Sequence, residues 1–350
     1  MADRGTAVEV EGRTLILTNL DKVLFPATGT TKRDVCRYYT KIAPAMLPHL
    51  RDRPVTFRRA PDGTGGKAFF QKHRPPGTPG WVPTIDVDPS GPRVGPPGGE
   101  AGRRDRPRPT RIPFAGVDGL PALVWAANLA AIELHVPMWR VDRKMAPKPA
   151  DLMVFDLDPG PPTGILECCE VAMLVRDALG ADGLAALPKT SGSKGLQLYV
   201  AIGRRRSVDP LAYAHDLARR LERLHPSKVV SNMRRDLRKG KVLIDWSQNH
   251  PSKTTVAAYS LRLRPEPSVS TPVTWDEIAA ALGNDDAASL SFAPGDVLGR
   301  VRSDGDLFAP LVGRRRAGAG SGRRPSPRRV QPVEPASSAA EATSSSRSRS

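Results

Sequence analysis

The decapeptide DLMVFDLDPG, residues 151–160, constrains this chain more than any other stretch. An apolar run ends on two carboxylates, Asp156 and Asp158, with one leucine between them. The run has the length and composition of a buried strand. In a strand, residues i and i+2 share a face, so Asp156 and Asp158 stand side by side while Phe155 and Leu157 face the opposite layer. Two neighbouring carboxylates repel unless a proton or a cation lies between them. A hard divalent ion, Mg2+ or Mn2+, suits them best because its ligands are oxygens. The Pro-Gly-Pro-Pro that follows stops the strand at what would be the rim of a site. Taken alone, the same pattern also describes solvated acids ahead of a turn.

Two further segments bear on that choice. KVLIDWSQN (241–249) is another apolar strand, and it carries one acid, Asp245. By itself Asp245 reads as a solvated or salt-bridged residue. With Asp156 and Asp158 it makes three carboxylates on two strands, the usual cage for two metals that activate a hydroxyl and stabilise a pyrophosphate leaving group. Between them lies PKTSGSKGLQLYV (188–200), whose Ser-Gly-Ser-Lys-Gly turn exposes backbone N–H groups and offers Lys194 as a point charge for phosphates. The spacing is not that of a P-loop, and a strand follows instead of a helix. A plain hairpin turn is the simpler account of this stretch in isolation.

The periodicity predicts a mixed α/β chain. Strands are expected at 14–19, 151–157, 196–202 and 241–247. Helices are expected at 30–50, with Val35, Tyr38, Tyr39, Ile42 and Met46 near one face, at 120–136 as a mostly buried helix, and near 164–179 and 208–224. A last helix starts at Thr274, with Glu277 completing a capping box. The 350 residues allow one large domain or two packed subdomains. With 39% hydrophobic residues, 31 Gly and 36 Pro, part of the length is loop or tail. Residues 86–111 read as a low-complexity surface insertion and 311–350 as a disordered Arg/Ser-rich tail. That tail holds nine Arg against two Glu and supplies 7 of the 17 net positive charges. The basic excess of the remainder points to a polyanion, nucleic acid before anionic membrane. Cys36, Cys168 and Cys169 have neither metal-ligand nor disulfide spacing and suit a reducing cytosol. No signal segment and no apolar run long enough to span a bilayer is present, so the expectation is a cytoplasmic protein with no membrane partner.

Taken together, TNLDKVLFPATGTTK (18–32), KAFFQKH (67–73), IELHVPMW (132–139), FDLDPG (155–160), TSGSKGLQLY (190–199), LRKGKVLIDWSQN (237–249) and KTTVAAYSLRLRP (253–265) are highly specific. Over residues 10–310 the chain resembles the polymerase domain of bacterial ATP-dependent DNA ligase D, within the archaeo-eukaryotic primase superfamily. The resemblance implies a primase-like α/β (α+β) fold over 1–310, two packed subdomains with mixed sheets around a central cleft. It implies a DNA-directed nucleotidyltransferase that fills gaps and extends ends in non-homologous end joining, with ribonucleotides preferred over deoxynucleotides. By position, Asp156, Asp158 and Asp245 would hold two Mn2+ or Mg2+ ions. Ser191, Gly192, Lys194, Gln197 and Arg262 would hold the incoming triphosphate, with His135 near the nucleotide. Asn19, Lys22 and Lys32 correspond to a pocket for a DNA 5′-phosphate. Phe69 and Phe70 resemble an aromatic pair that stacks on the template, Lys72 belongs to the same DNA-binding set, and Arg238 falls on a mobile loop that arranges the metal site. Partners implied are double-stranded DNA ends, a Ku homodimer and a separate ATP-dependent ligase, since no Lys-x-Asp-Gly ligase motif occurs and a stand-alone polymerase in the bacterial nucleoid is expected.

One position departs from the pattern. The family has His where this chain has Gln197, and that imidazole would face the triphosphate. Losing a charge-assisted bond costs roughly 1.5–3 kcal/mol, about one to two decades in rate. Weakened nucleotide use is therefore expected. The rival readings are a weakened or inactive paralogue that only binds 5′-phosphorylated ends, and a primase-like enzyme that starts chains without a primer.

Overall fold

Asp156 and Asp158 end the central strand of a five-stranded sheet, and the rest of the fold can be read as what holds that strand in place. The computed structural model describes residues 5–92, 111–203 and 208–313. Strands β1 (Thr6–Val10) and β2 (Arg13–Leu17) form a hairpin, and a smaller one, β3 (Val23–Phe25) with β4 (Thr30–Thr31), leads into helix α1 (Lys32–Leu50). α1 starts at a capping box. Thr31 Oγ accepts from the Asp34 amide and the Asp34 carboxylate accepts from the Thr31 amide. Its Val35, Tyr38, Tyr39, Ile42 and Met46 face is buried, as the periodicity predicts.

Strands β5 (Thr56–Arg59) and β6 (Phe69–Gln71) follow, then β7 (Thr84–Val87) and β8 (Ile112–Ala115). β7 and β8 pair with each other in antiparallel register, so the segment expected as an insertion, 86–111, is rooted in a hairpin. Its residues 93–110 lie outside the described residues, as do residues 314–350 of the expected tail.

Residues 120–136 do not form one helix. Helix α2 (Leu120–Asn128) ends early, and β9 (Ala131–Val136) takes over. Ala130 turns left-handed, with φ of 55°, and the Asn128 side chain bonds the backbone of Ile16 and Thr18. A continuous apolar run fits a buried helix and a buried strand equally well. Here the β-branched Ile132 and Val136 enter a sheet whose both faces are covered.

The second half runs β10 (Leu152–Pro159), α3 (Ile165–Ala181), β11 (Ala186–Thr190), β12 (Leu196–Ala201), α4 (Pro210–Leu224), β13 (Val229–Val230) and β14 (Val242–Asp245). Short strands β15 (Thr255–Val256), β16 (Leu261–Arg262) and β17 (Ser268–Val269) precede α5 (Trp275–Gly283), which opens on the expected Thr274–Glu277 capping box. α5 is not the last helix. α6 (Pro294–Asp304) and α7 (Ala309–Val312) follow. Gly295 and Gly299 interrupt the pattern of α6 and Ala293 gives it no side-chain cap, although Pro294 at its first position and Asp296, which accepts from the Ala293 amide, mark its start.

The principal sheet has the order β11-β12-β10-β14-β13, antiparallel except between β13 and β14. A four-stranded sheet, β15-β9-β5-β6, is antiparallel throughout. One apolar core takes Phe155, Leu157 and Leu198 from the first and Phe57 and Leu134 from the second. Asn249 clamps β10 from a 3-10 turn, donating to Val154 O and accepting from Val154 N. Among the described residues no helix is long and apolar enough to cross a membrane.

Candidate active site

The register of the principal sheet builds the acid cluster. Asp156 lies directly opposite Asp245 on one side and Gln197 on the other. Directly opposed side chains project from the same face, and Asp158 shares that face two residues on. One oxygen from each of Asp156, Asp158 and Asp245 lies within 4.8 Å of the others. Burial, then the neighbouring Asp158, pushes the Asp156 carboxyl up to about 8, against the pull of the amide donated by Gln197. Asp158 is also raised, by burial and by Asp245, with Arg238 and Arg262 opposing. Three carboxylate oxygens gathered this closely fit a hard divalent cation. Asp245 is held in one orientation. Its Oδ1 accepts from the Ser247 amide at 3.0 Å and the Ser247 hydroxyl at 2.6 Å, and its Oδ2 accepts from Gln248 Nε2 at 2.9 Å.

Gln197, 4% exposed, sits under this cluster. Its Nε2 donates to Asp156 Oδ1 at 3.0 Å, and its Oε1 accepts from Lys189 Nζ at 2.6 Å. Lys189 is fully buried and also donates to Ser270 Oγ. Its ammonium lies well below the usual lysine range, first through burial and then through Arg262. The carboxamide thus bridges Asp156 and Lys189, and the second hydrogen of its NH2 group is not used by either bond.

The Ser-Gly-Ser-Lys-Gly turn is present between β11 and β12, with Lys194 exposed. Its amides are not all turned outward as expected, because those of Ser193 and Gly195 donate to Ser191 Oγ. Gly192 adopts φ of 66° and lies against Val269 backbone and the Arg262 side chain, where a Cβ would not fit. Arg262 Nη1 donates to Ser191 O at 2.8 Å, tying the turn to β16. His135 lies on β9, its Nε2 2.8 Å from Glu133 Oε2 and its ring edge-on to Phe70 at 5.4 Å. Thus Ser191, Gly192, Arg262, His135 and Phe70 form one connected surface.

Phe69 and Phe70 are 39% and 60% exposed, which excludes a core role for the pair. Arg59 and Arg58 lie over their rings at 5.5 and 5.7 Å. Lys72 follows, exposed. Arg238 ends a 3-10 turn whose backbone rests on Gly160, just past the acid-bearing strand. Asn19, Lys22 and Lys32 form a second cluster. The Lys22 amide donates to Asn19 O, the Lys32 amide to Lys22 O, and Lys32 Nζ to Thr18 O at 2.7 Å. Lys22 Nζ pairs with Asp62 at 2.6 Å, a partner 40 residues away that local sequence patterns do not indicate.

Sequence reasoning also missed Glu133, Arg58, Lys189, Ser247 and Gln248. Glu133 is 1% exposed. Burial would raise its carboxyl, yet His135, Arg262 and the Leu263 amide hold it down to about 2. An acid and a histidine at i and i+2 in IELHV was the available signal, since both project from one face of a strand.

The LigD primase-polymerase domain family model matches residues 31–308. The chain is 42% identical over 301 residues to the multifunctional non-homologous end joining DNA repair protein LigD of Mycobacterium tuberculosis (strain ATCC 25618 / H37Rv), covering 84% of this chain and 36% of that protein. It is 31% identical over 277 residues to the multifunctional non-homologous end joining protein LigD of Pseudomonas aeruginosa, covering 76% of this chain and 29% of that one. Among solved structures, the polymerase domain from Mycobacterium tuberculosis ligase D in complex with DNA matches with a TM-score of 0.73 at 40% identity, over 85% of this chain and 98% of that chain. The chain therefore spans 29–36% of the length of these two curated relatives. A match this long, on a fold that closes three carboxylates into one cluster, places the chain in the LigD primase-polymerase domain family.

Proposed function

We propose that this chain is a template-dependent nucleotidyltransferase that adds nucleotides to a primer 3′ end at gapped or broken DNA. The observation that carries this reading is the row Gln197–Asp156–Asp245 with Asp158 beside it, where three carboxylates converge beside a phosphate-type turn. Two divalent ions, Mn2+ or Mg2+, held by Asp156, Asp158 and Asp245 would lower the pKa of the attacking hydroxyl and neutralise departing pyrophosphate. Lys194 and Arg262 supply positive charge to the triphosphate, Ser191 and Gly192 shape its seat, and His135 lines the nucleotide side. Gln197 steadies Asp156 and has a second amide hydrogen to offer the triphosphate. Phe69 and Phe70 offer the template a sequence-tolerant stacking surface, worth about 1–3 kcal/mol per base. Asn19, Lys22 and Lys32 receive a 5′-phosphate, which competes with Asp62 for Lys22. Lys72 and Arg238 complete the DNA contacts, and Arg238 also faces Asp158.

The relatives' names place them in non-homologous end joining, and we assign this chain to the same repair, in the cytoplasm at the nucleoid, beside a Ku homodimer and a ligase activity. Residues 1–310 form the polymerase domain and 311–350 an appended tail. Primer extension on gapped, 5′-phosphorylated DNA with ribo- and deoxynucleotides in Mg2+ and Mn2+ tests the reading. Asp156→Ala is expected to lower incorporation by at least about a thousandfold, and chelation of the divalent ion to abolish it. Equal incorporation by variant and parent eliminates the mechanism.

A further inference from the structure

Glu133 stands where two halves of the proposed reaction meet. Phe70, Arg58 and Glu133 lie opposite one another across three strands, so their side chains form one cross-strand row. Glu133 Oε1 accepts from Arg58 Nη1 at 2.9 Å and from the Leu263 amide at 2.9 Å. Arg262 Nε lies 3.4 Å from the same oxygen, yet it is buried without a hydrogen-bond partner. A carboxylate oxygen has room for about two donors in its plane. Three donors thus converge on one oxygen, and Arg262 is the one left out. Arg58 is the least confined of them, with its side chain 32% exposed and its guanidinium over the exposed Phe70 ring.

We propose that Glu133 is a positioning residue that couples template stacking at Phe70 to nucleotide capture at Arg262. When a template strand occupies Phe70, its phosphates draw Arg58 away and Oε1 becomes free. Arg262 Nε then completes its bond to Glu133. That fixes the guanidinium whose Nη1 already holds Ser191 O, and with it the phosphate turn. The inference rests on the nucleotide and template roles proposed above and adds the order in which they act.

The test measures nucleotide binding, not turnover. An α,β-imido ribonucleoside triphosphate is titrated in Mn2+ into parent, Arg58→Met and Glu133→Gln proteins, with and without gapped 5′-phosphorylated DNA. Arg58→Met removes the competitor, so its binding without DNA is expected to tighten by at least about fivefold, and the tightening produced by DNA to shrink by the same factor. Glu133→Gln is expected to bind weakly in both conditions. A purely structural role for Arg58 predicts the opposite sign, weaker binding without DNA. Unchanged or weaker DNA-free binding by Arg58→Met, or a DNA effect as large as in the parent, overturns the coupling. The half-exposed Arg58 variant keeps the test decisive if the buried Glu133 variant fails to fold. Extension by the parent that Asp156→Ala abolishes leaves the polymerase reading standing whichever way the coupling falls.

Discussion

Gln197 links the acid cluster to a buried lysine. Its amide donates to a carboxylate of the acid cluster, and its carbonyl is held by a buried ammonium. Lys189 Nζ donates to the Gln197 oxygen, which leaves the NH2 group turned toward Asp156. That bond favours the ionised form of Asp156, the form a metal needs. Gln197→Leu is therefore expected to weaken Mn2+ binding by roughly 10–100-fold, the usual effect of losing a partner to a metal ligand. Nucleotide affinity at saturating Mn2+ should change far less. Calorimetric Mn2+ titration checks the first and nucleotide titration the second, and the reverse pattern would make the triphosphate the main contact of Gln197. Glu133 gives a pH signature at the same scale. Its carboxyl sits at about 2 in the fold against 4.5 as the ordinary value. Above 4.5 both states are ionised and its contribution is complete. As pH falls below that, the unfolded chain takes up the proton first, and stability drains away until the folded value is reached. Denaturant midpoints measured from about pH 5 to 3 should fall more steeply for the parent than for Glu133→Gln.

At the scale of elements, the functional geometry is a matter of strand register and of loops that lie on strand ends. Asp156 and Asp158 could be paired from sequence because strand periodicity alone puts them on one face. The roles of Glu133, Lys189 and Arg58 could not, because each depends on which residue stands opposite it in another strand. The helix-to-strand switch at Ala130 was hidden for a related reason: an apolar run does not state its own period when both faces are buried. The capping boxes at Thr31 and Thr274 were readable because both partners lie three residues apart in the chain. Gly160 supplies a test. A Cβ there would overlap the carbonyl oxygen of Arg238, so the 3-10 turn carrying Arg238 can rest on the end of β10 only because this position has no side chain. Gly160→Ala should displace that turn and lower primer extension by about tenfold or more, as misplacement near a reacting centre does. The melting temperature should shift by only a few degrees. Full extension by the variant would remove Arg238 from the metal site's surroundings.

For the whole molecule, charge separates two jobs. Of the +17 net charge, 7 units lie in residues 313–350 and the rest in the chain before them. The mixed α/β class followed from alternating periodicities, and one shared core joins the two principal sheets that carry the acid cluster and Phe70. The proposed 5′-phosphate pocket lies on that core-mounted surface, where the backbone of residues 19–22 is bonded to Lys32 at the start of α1. Arginine that neutralises phosphates adds affinity for any phosphate backbone, through counterion release, and adds no preference. Truncation after Gly313 should therefore weaken binding about equally on all DNA sequences. Each phosphate that the tail no longer neutralises makes the negative slope of log K against log salt shallower by about 0.9, so nine arginines bound the change at about 8. The ratio of affinities for 5′-phosphorylated and 5′-hydroxyl gaps should stay as in the full chain. Titrations of both gaps across a salt series measure the two quantities together. An unchanged slope would make the extension inert toward DNA, whereas a changed ratio would put part of the end recognition in the tail itself.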